Sequence, residues 1–135
     1  MIRRSIAVIV GLLVWMICAT AFDILLRHTL TGYAAAEPQL QFTLPMMIAR
    51  LALPGAIPSI AAGFASAWVS RGSRPVTAAL AVILVAMFLP AHYRLWTTFP
   101  AWYHLTFFGS LVALPWLGAS MRSRLSATRP VSQPG

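Results

Sequence analysis

Four apolar blocks, each bounded by arginine, set the pattern of the chain. The first runs from Ser5 to Leu26, SIAVIVGLLVWMICATAFDILL, after Arg3 and Arg4 and before Arg27. The second runs from Leu51 to Ser70 between Arg50 and Arg71, the third from Pro75 to Tyr93 between Arg74 and Arg94, and the fourth from Ala101 to Met121 before Arg122. At the α-helical rise these blocks are roughly 28 to 33 Å long, close to the thickness of the hydrocarbon layer of a bilayer. They lack the alternating polarity of strands, and only a helix satisfies every backbone group of such a segment from within. Ser73, with Pro75 in the first turn, is the expected cap of the third helix, and Thr98, with Pro100, that of the fourth. Gly72 supplies a flexible turn between the second and third.

Four crossings put both chain ends on one side. Arg3, Arg4, Arg71, Arg74, Arg122, Arg124 and Arg129 then share one face, and Arg27, Arg50 and Arg94 the other. The excess of arginine marks the cytoplasmic side. The expected fold is therefore all-α: a four-helix transmembrane bundle with both termini cytoplasmic, occupying residues 1–122 as one domain. Ala19-Thr20-Ala21 imitates a signal-peptidase site, but hydrophobicity continues through Phe22, Ile24, Leu25 and Leu26, so an uncleaved first span is expected. Between the first two spans, residues 28–50 form a long outer connection, and residues 42–48 are apolar enough for a short helix in the interface. Residues 123–135, poor in apolar side chains, are expected to be a disordered cytoplasmic tail near anionic headgroups.

Composition agrees with lipid as the solvent. Of 135 residues, 59% are hydrophobic and 9% charged, against about 25% charged in soluble domains. The net charge of +8 does not indicate nucleic acid, because the arginines fall between apolar blocks and form no stripe or patch. The single cysteine, Cys18, lies within an apolar run and forms no CxxC pair.

The second block carries Gly55, Ser59, Gly63 and Ala67 at four-residue intervals, one stripe of small side chains on one helical face. In lipid such a stripe lets helices approach closely. It serves either packing within the bundle or a homo-oligomer interface. Pro54 and Pro58 free the carbonyls of Arg50 and Pro54, and Pro115 frees that of Leu111. Freed carbonyls coordinate ions in some transporters, but more often mark kinks that neighbours or water satisfy.

Polar chemistry gathers at the outer end: the two acids Asp23 and Glu37 and the three histidines His28, His92 and His104. Asp23 and Arg27, four apart, are placed to form an ion pair at the interface, and Asp23 is alternatively a binding carboxylate facing the bundle. Pro90-Ala91-His92-Tyr93-Arg94-Leu95 is echoed by Pro100-Ala101-Trp102-Tyr103-His104-Leu105. Tyr93, Trp96, Trp102 and Tyr103 read as an aromatic belt around a helical hairpin, with Arg94 and the two histidines at the same depth. The sharper alternative is a site made by His92 and His104. His28, Asp23 or Glu37 would complete a metal set, but no HxH, HxxxH or HExxH spacing holds two ligands on one element, so no metal, cofactor or catalytic residue is expected.

The stretches GYAAAEPQLQFTLPMMIARL and LPAHYRLWTTFPAWYHLTFFGSL resemble a group of small bacterial inner-membrane proteins whose role is unassigned. That resemblance implies the same four-span plan in a bacterial cytoplasmic membrane. Together these readings point to a non-enzymatic membrane subunit or interaction partner, with an outer polar and aromatic cap around Asp23, Arg27, Arg50, His92, Arg94 and His104. Its expected partners are the lipid bilayer and a second copy or another membrane protein, not nucleic acid. The alternative is an oligomeric transporter or channel for a small solute.

Overall fold

Each apolar block folds as a helix, in a computed structural model that describes residues 1–129. The first span is α1, Ile2–Thr29. After a single turn, α2, Tyr33–Ala36, the second span opens as α3, Leu44–Arg50, passes through a π-helical stretch, Leu51–Ala56, and continues as α4, Ile57–Ser70. The third and fourth spans are α5, Arg74–Arg94, and α6, Ala101–Ala127. Among the described residues there is no strand, and four helical runs are long and apolar enough to cross a membrane. The chain is a multi-pass membrane protein built as a four-helix bundle.

Three boundaries differ from those expected. The short helix foreseen at 42–48 is the beginning of the second span, which runs unbroken from Leu44 to Ser70. Its continuity depends on the π-helical stretch: there the Ile57 N–H reaches back five residues to the carbonyl of Ala52. That shift of register accommodates Pro54, whose nitrogen has no hydrogen to donate. The tail foreseen from Ser123 is helical through Ala127, and Ser123 and Ser126 bond back to the carbonyls of Ala119 and Arg122, each at 3.2 Å. Residues 130–135 of that tail lie outside the described residues. Ser73 does precede α5, but its hydroxyl makes no capping bond. Thr98 caps nothing; Pro100 is the residue before α6, and the Thr98 N–H closes a turn onto Leu95. Arg71 and Gly72, at φ +58° and +83°, turn the chain sharply between α4 and α5.

The small-residue stripe lies inside the bundle. Gly55, Ser59, Gly63 and Ala67 are all buried within this one chain. α4 and α6 run parallel, with Gly55 beside Phe107, Gly63 beside Pro115 and Trp68 beside Arg122. At their crossing the backbones touch. A methyl group built on Gly63 would stand 2.0 Å from the Pro115 carbonyl oxygen, and one on Gly118 would stand 2.0 Å from that of Ile60. Lipid offers no hydrophobic drive between helices, so close backbone dispersion contact of this kind is what holds them. α1 runs antiparallel to α4: Trp15 Nε1 donates to Ser59 Oγ at 3.0 Å, and the Ser59 hydroxyl donates to the Gly55 carbonyl at 2.8 Å. Trp15, Ala62, Leu80, Leu84, Phe107 and Leu111 form the core. Outward, Ile6, Ile9, Leu13, Ile17, Val82 and Val112 are exposed, as lipid-facing side chains are.

The two ends of the bundle differ in chemistry. At one, Arg3 Nε donates to the Val69 carbonyl at 2.8 Å and the Arg122 guanidinium lies 5.9 Å from the Trp68 ring centre. The start of α1 and the last turns of α4 and α6 therefore share this arginine-rich end. The opposite end holds both acids and all three histidines.

A candidate ligand site at the histidine end

Two polar clusters meet at that opposite end. The first is a chain of hydrogen bonds across the mouth of the bundle. Arg27 on α1 donates to Asp23 Oδ2 through Nε at 3.0 Å and to Glu37 Oε1 through a terminal nitrogen at 2.9 Å. The Tyr33 hydroxyl donates to Asp23 Oδ1 at 3.2 Å and accepts from Arg50 at 2.9 Å. The i, i+4 spacing of Asp23 and Arg27 makes the first contact, and the left-handed Gly32, at φ +82°, turns the chain just before Tyr33, whose hydroxyl reaches Asp23 and Arg50. Arg50, at the end of α3, also lies 5.1 Å from the centre of the Phe42 ring. Two carboxylates face two guanidiniums, so the cluster is neutral overall. Tyr33 is fully buried, and its hydroxyl is pushed up to about 12, first by burial and then by the Asp23 carboxylate, against the opposing pull of Arg50. It is thus a neutral donor.

The second cluster is the histidine pair. His92, in the last turn of α5, and His104, in the first turn of α6, face each other with Nδ1 atoms 2.6 Å apart. One nitrogen donates and the other accepts, so when both rings are neutral they are opposite tautomers. A proton on each Nδ1 would set two N–H groups against one another. His104 is fully buried and its Nε2 has no hydrogen-bond partner. Trp96 stacks on the His104 ring at 4.8 Å and 18°, and Phe107 on the His92 ring at 4.5 Å and 21°.

Between the clusters lies a cavity of about 370 Å³. α1 contributes Trp15, Ala19, Thr20 and Asp23; α5 contributes Phe88, Ala91 and His92; α6 contributes Tyr103, His104 and Phe107. Arg50 and Pro54 of the second span, with Leu40, Leu95 and Phe99, complete it. The π-helical stretch therefore borders the cavity, a common placement for this distortion at sites. The volume falls within the usual range for small-molecule pockets, as does the mix of apolar walls and few polar groups.

Of the six residues foreseen as the outer cap, Asp23, Arg50, His92 and His104 line this cavity. Arg27 reaches it only through Asp23, and Arg94 is exposed and stands apart. The two histidines do not point outward with the belt: both are buried and face each other across the α5–α6 hairpin. Tyr93, Trp96 and Trp102 are exposed as a belt requires, but Tyr103 is buried and stacks on Phe99 at 4.9 Å. His28 is exposed, and among the described residues no three His, Cys, Asp or Glu side chains gather into a metal-binding group. Sequence reasoning missed Tyr33, Trp15, Phe88 and Phe107. The available signal was spacing: Trp15, Ala19 and Asp23 recur every four residues, as do Phe88 and His92, and Tyr103, Phe107 and Leu111. Each set defines one face of its helix.

Fold and site together define a small multi-pass helical membrane protein with an aromatic-walled cavity at one end of its bundle. Comparison of the chain with protein-family models, with curated proteins and with solved structures finds no match.

Proposed function

We propose that this is a non-enzymatic subunit or interaction partner in a bacterial cytoplasmic membrane that binds a small, largely apolar molecule in the cavity at its histidine end. The arginine-rich end faces the cytoplasm and the histidine end the outside, by the positive-inside rule. The observation that carries the reading is the cavity itself: about 370 Å³, walled by aromatic rings, with a few buried polar groups converging on it. A conducting path through the bundle is disfavoured by the backbone contact of Gly63 with Pro115 and Gly118 with Ile60, which closes the α4–α6 seam.

A thermal-shift screen of the purified protein against uncharged aromatic compounds tests this. A binder present at about a hundred times its Kd stabilises the protein by about 2.7 kcal/mol. Ala19→Trp, which fills the cavity from α1, is expected to abolish that shift. If no compound stabilises the native protein more than the filled variant, the cavity is not a binding site.

A further inference from the structure

The geometry points to the class of ligand: a neutral, lipid-soluble ring carrying an oxygen, as in quinones and phenols, with that oxygen hydrogen-bonded to His104 Nε2 and the ring admitted sideways from the bilayer between α1 and α5. This inference rests on the cavity being a binding site, and deepens it.

The oxygen follows from His104. Its ring borders the cavity, its Nδ1 is committed to His92, and its Nε2 is covered by neighbouring side chains without a partner, so a ligand oxygen reaches it by displacing that cover. A buried imidazole nitrogen in that state is costly, and native structures rarely keep one. Either tautomer of the pair presents something useful. When His104 donates through Nδ1, Nε2 is a lone pair that accepts from a hydroxyl; when it accepts, Nε2 carries the proton and donates to a carbonyl. The ring follows from the walls. Trp15 and Phe88 pack at 4.9 Å and 52°, and Phe88 and Phe107 at 5.2 Å and 76°, so the cavity presents both faces and edges of aromatic rings. A flat ring packs against such surfaces in offset or edge-on geometry.

Neutrality follows from the rim. Asp23 uses one oxygen on Arg27 and the other on Tyr33, and the acids are matched by the two arginines. No net charge is left to attract an ion. Entry from the bilayer follows from exposure. Trp15, Tyr103 and His104 are buried, whereas Thr20 on α1 and Ala91 on α5, both small, line the cavity and are exposed. A molecule dissolved among the acyl chains meets this opening directly.

The test compares duroquinone with hexamethylbenzene, a hydrocarbon of similar outline, using the full-length protein in lipid nanodiscs. Saturable binding of duroquinone about tenfold tighter than that of hexamethylbenzene is expected, with the difference lost in His104→Phe. In parallel, ¹⁵N-histidine NMR of the unsubstituted protein should show the His104 Nε2 resonance moving with duroquinone and not with the hydrocarbon. This second measurement decides the matter if His104→Phe does not fold. Equal saturable binding of both compounds, or a stationary Nε2 resonance while duroquinone binds, overturns the oxygen contact and leaves the cavity reading intact. Saturable binding of neither compound removes both.

Discussion

Replacing Gly63 or Gly118 by alanine is expected to lower the stability of the bundle by about 3 kcal/mol or more, while Gly109→Ala leaves it within about 0.5 kcal/mol. The added Cβ at position 63 would meet the Pro115 oxygen at 2.0 Å and its Cα at 2.5 Å; at position 118 it would meet the Ile60 oxygen at 2.0 Å and the Phe64 nitrogen at 2.7 Å. These are backbone atoms, which no rotamer change moves aside. The helices must separate, and separation forfeits the dispersion contact along the whole α4–α6 seam. Gly109, on the same helix, has nothing within 4 Å of its would-be Cβ. The double variant should cost less than the sum of the singles, because the first methyl opens the space that the second requires. Denaturant titration in detergent measures all four variants. A stability for Gly63→Ala equal to that of Gly109→Ala would show that the two backbones are not in contact.

Tyr33 carries the second large effect. Tyr33→Ala removes a fully buried ring and the hydroxyl that joins α1 to the second span, a loss of about 3 to 5 kcal/mol. Tyr33→Phe keeps the ring and loses only the bridge between Asp23 and Arg50, about 1 to 2 kcal/mol. The pair of variants also has a pH signature. The hydroxyl titrates near 10.0 when the chain is unfolded and at about 12 in the fold, with burial the largest cause. Stability from the neutral hydroxyl is therefore complete below pH 10.0 and is lost as pH rises toward 12, a change on the order of 2 to 3 kcal/mol. Subtracting the stability profile of Tyr33→Phe from that of the unsubstituted protein isolates this fall. A flat difference between pH 9 and 12 would place the hydroxyl in water.

The spans were legible because arginine is costly in hydrocarbon, and each crossing is therefore bracketed by it. The beginning of the second span was not. Pro54 and Pro58 look like a place to break a helix, and whether the chain breaks or widens into a π-helical stretch depends on what packs around it. Gly55, inside that stretch, lies against Phe107. The helical extension through Ala127 was missed because its serines and arginines look like those of a tail, although serines bonding to carbonyls four residues back are compatible with a helix. At the site, the contact of Asp23 with Arg27 is local and follows from spacing alone. The meeting of His92 with His104 is not local. It requires the turn at residues 95–100 to rotate α5 and α6 so that two inward faces coincide, and nothing in one helix specifies the rotation of the other. Tyr33 was hidden for the same reason: its partners lie ten residues before it and seventeen after it.

Membrane topology is tested most directly by single-cysteine labelling in intact bacterial cells. With Cys18→Ser as background, Thr31→Cys and Thr97→Cys sit in the two connections at the histidine end, and Ser73→Cys and Ser126→Cys at the arginine-rich end. Four crossings with inward termini predict that an impermeant maleimide labels the first two from outside, and the last two only after lysis. Labelling of Thr31→Cys and Thr97→Cys from opposite sides of the membrane, or of Ser126→Cys in intact cells, would contradict it.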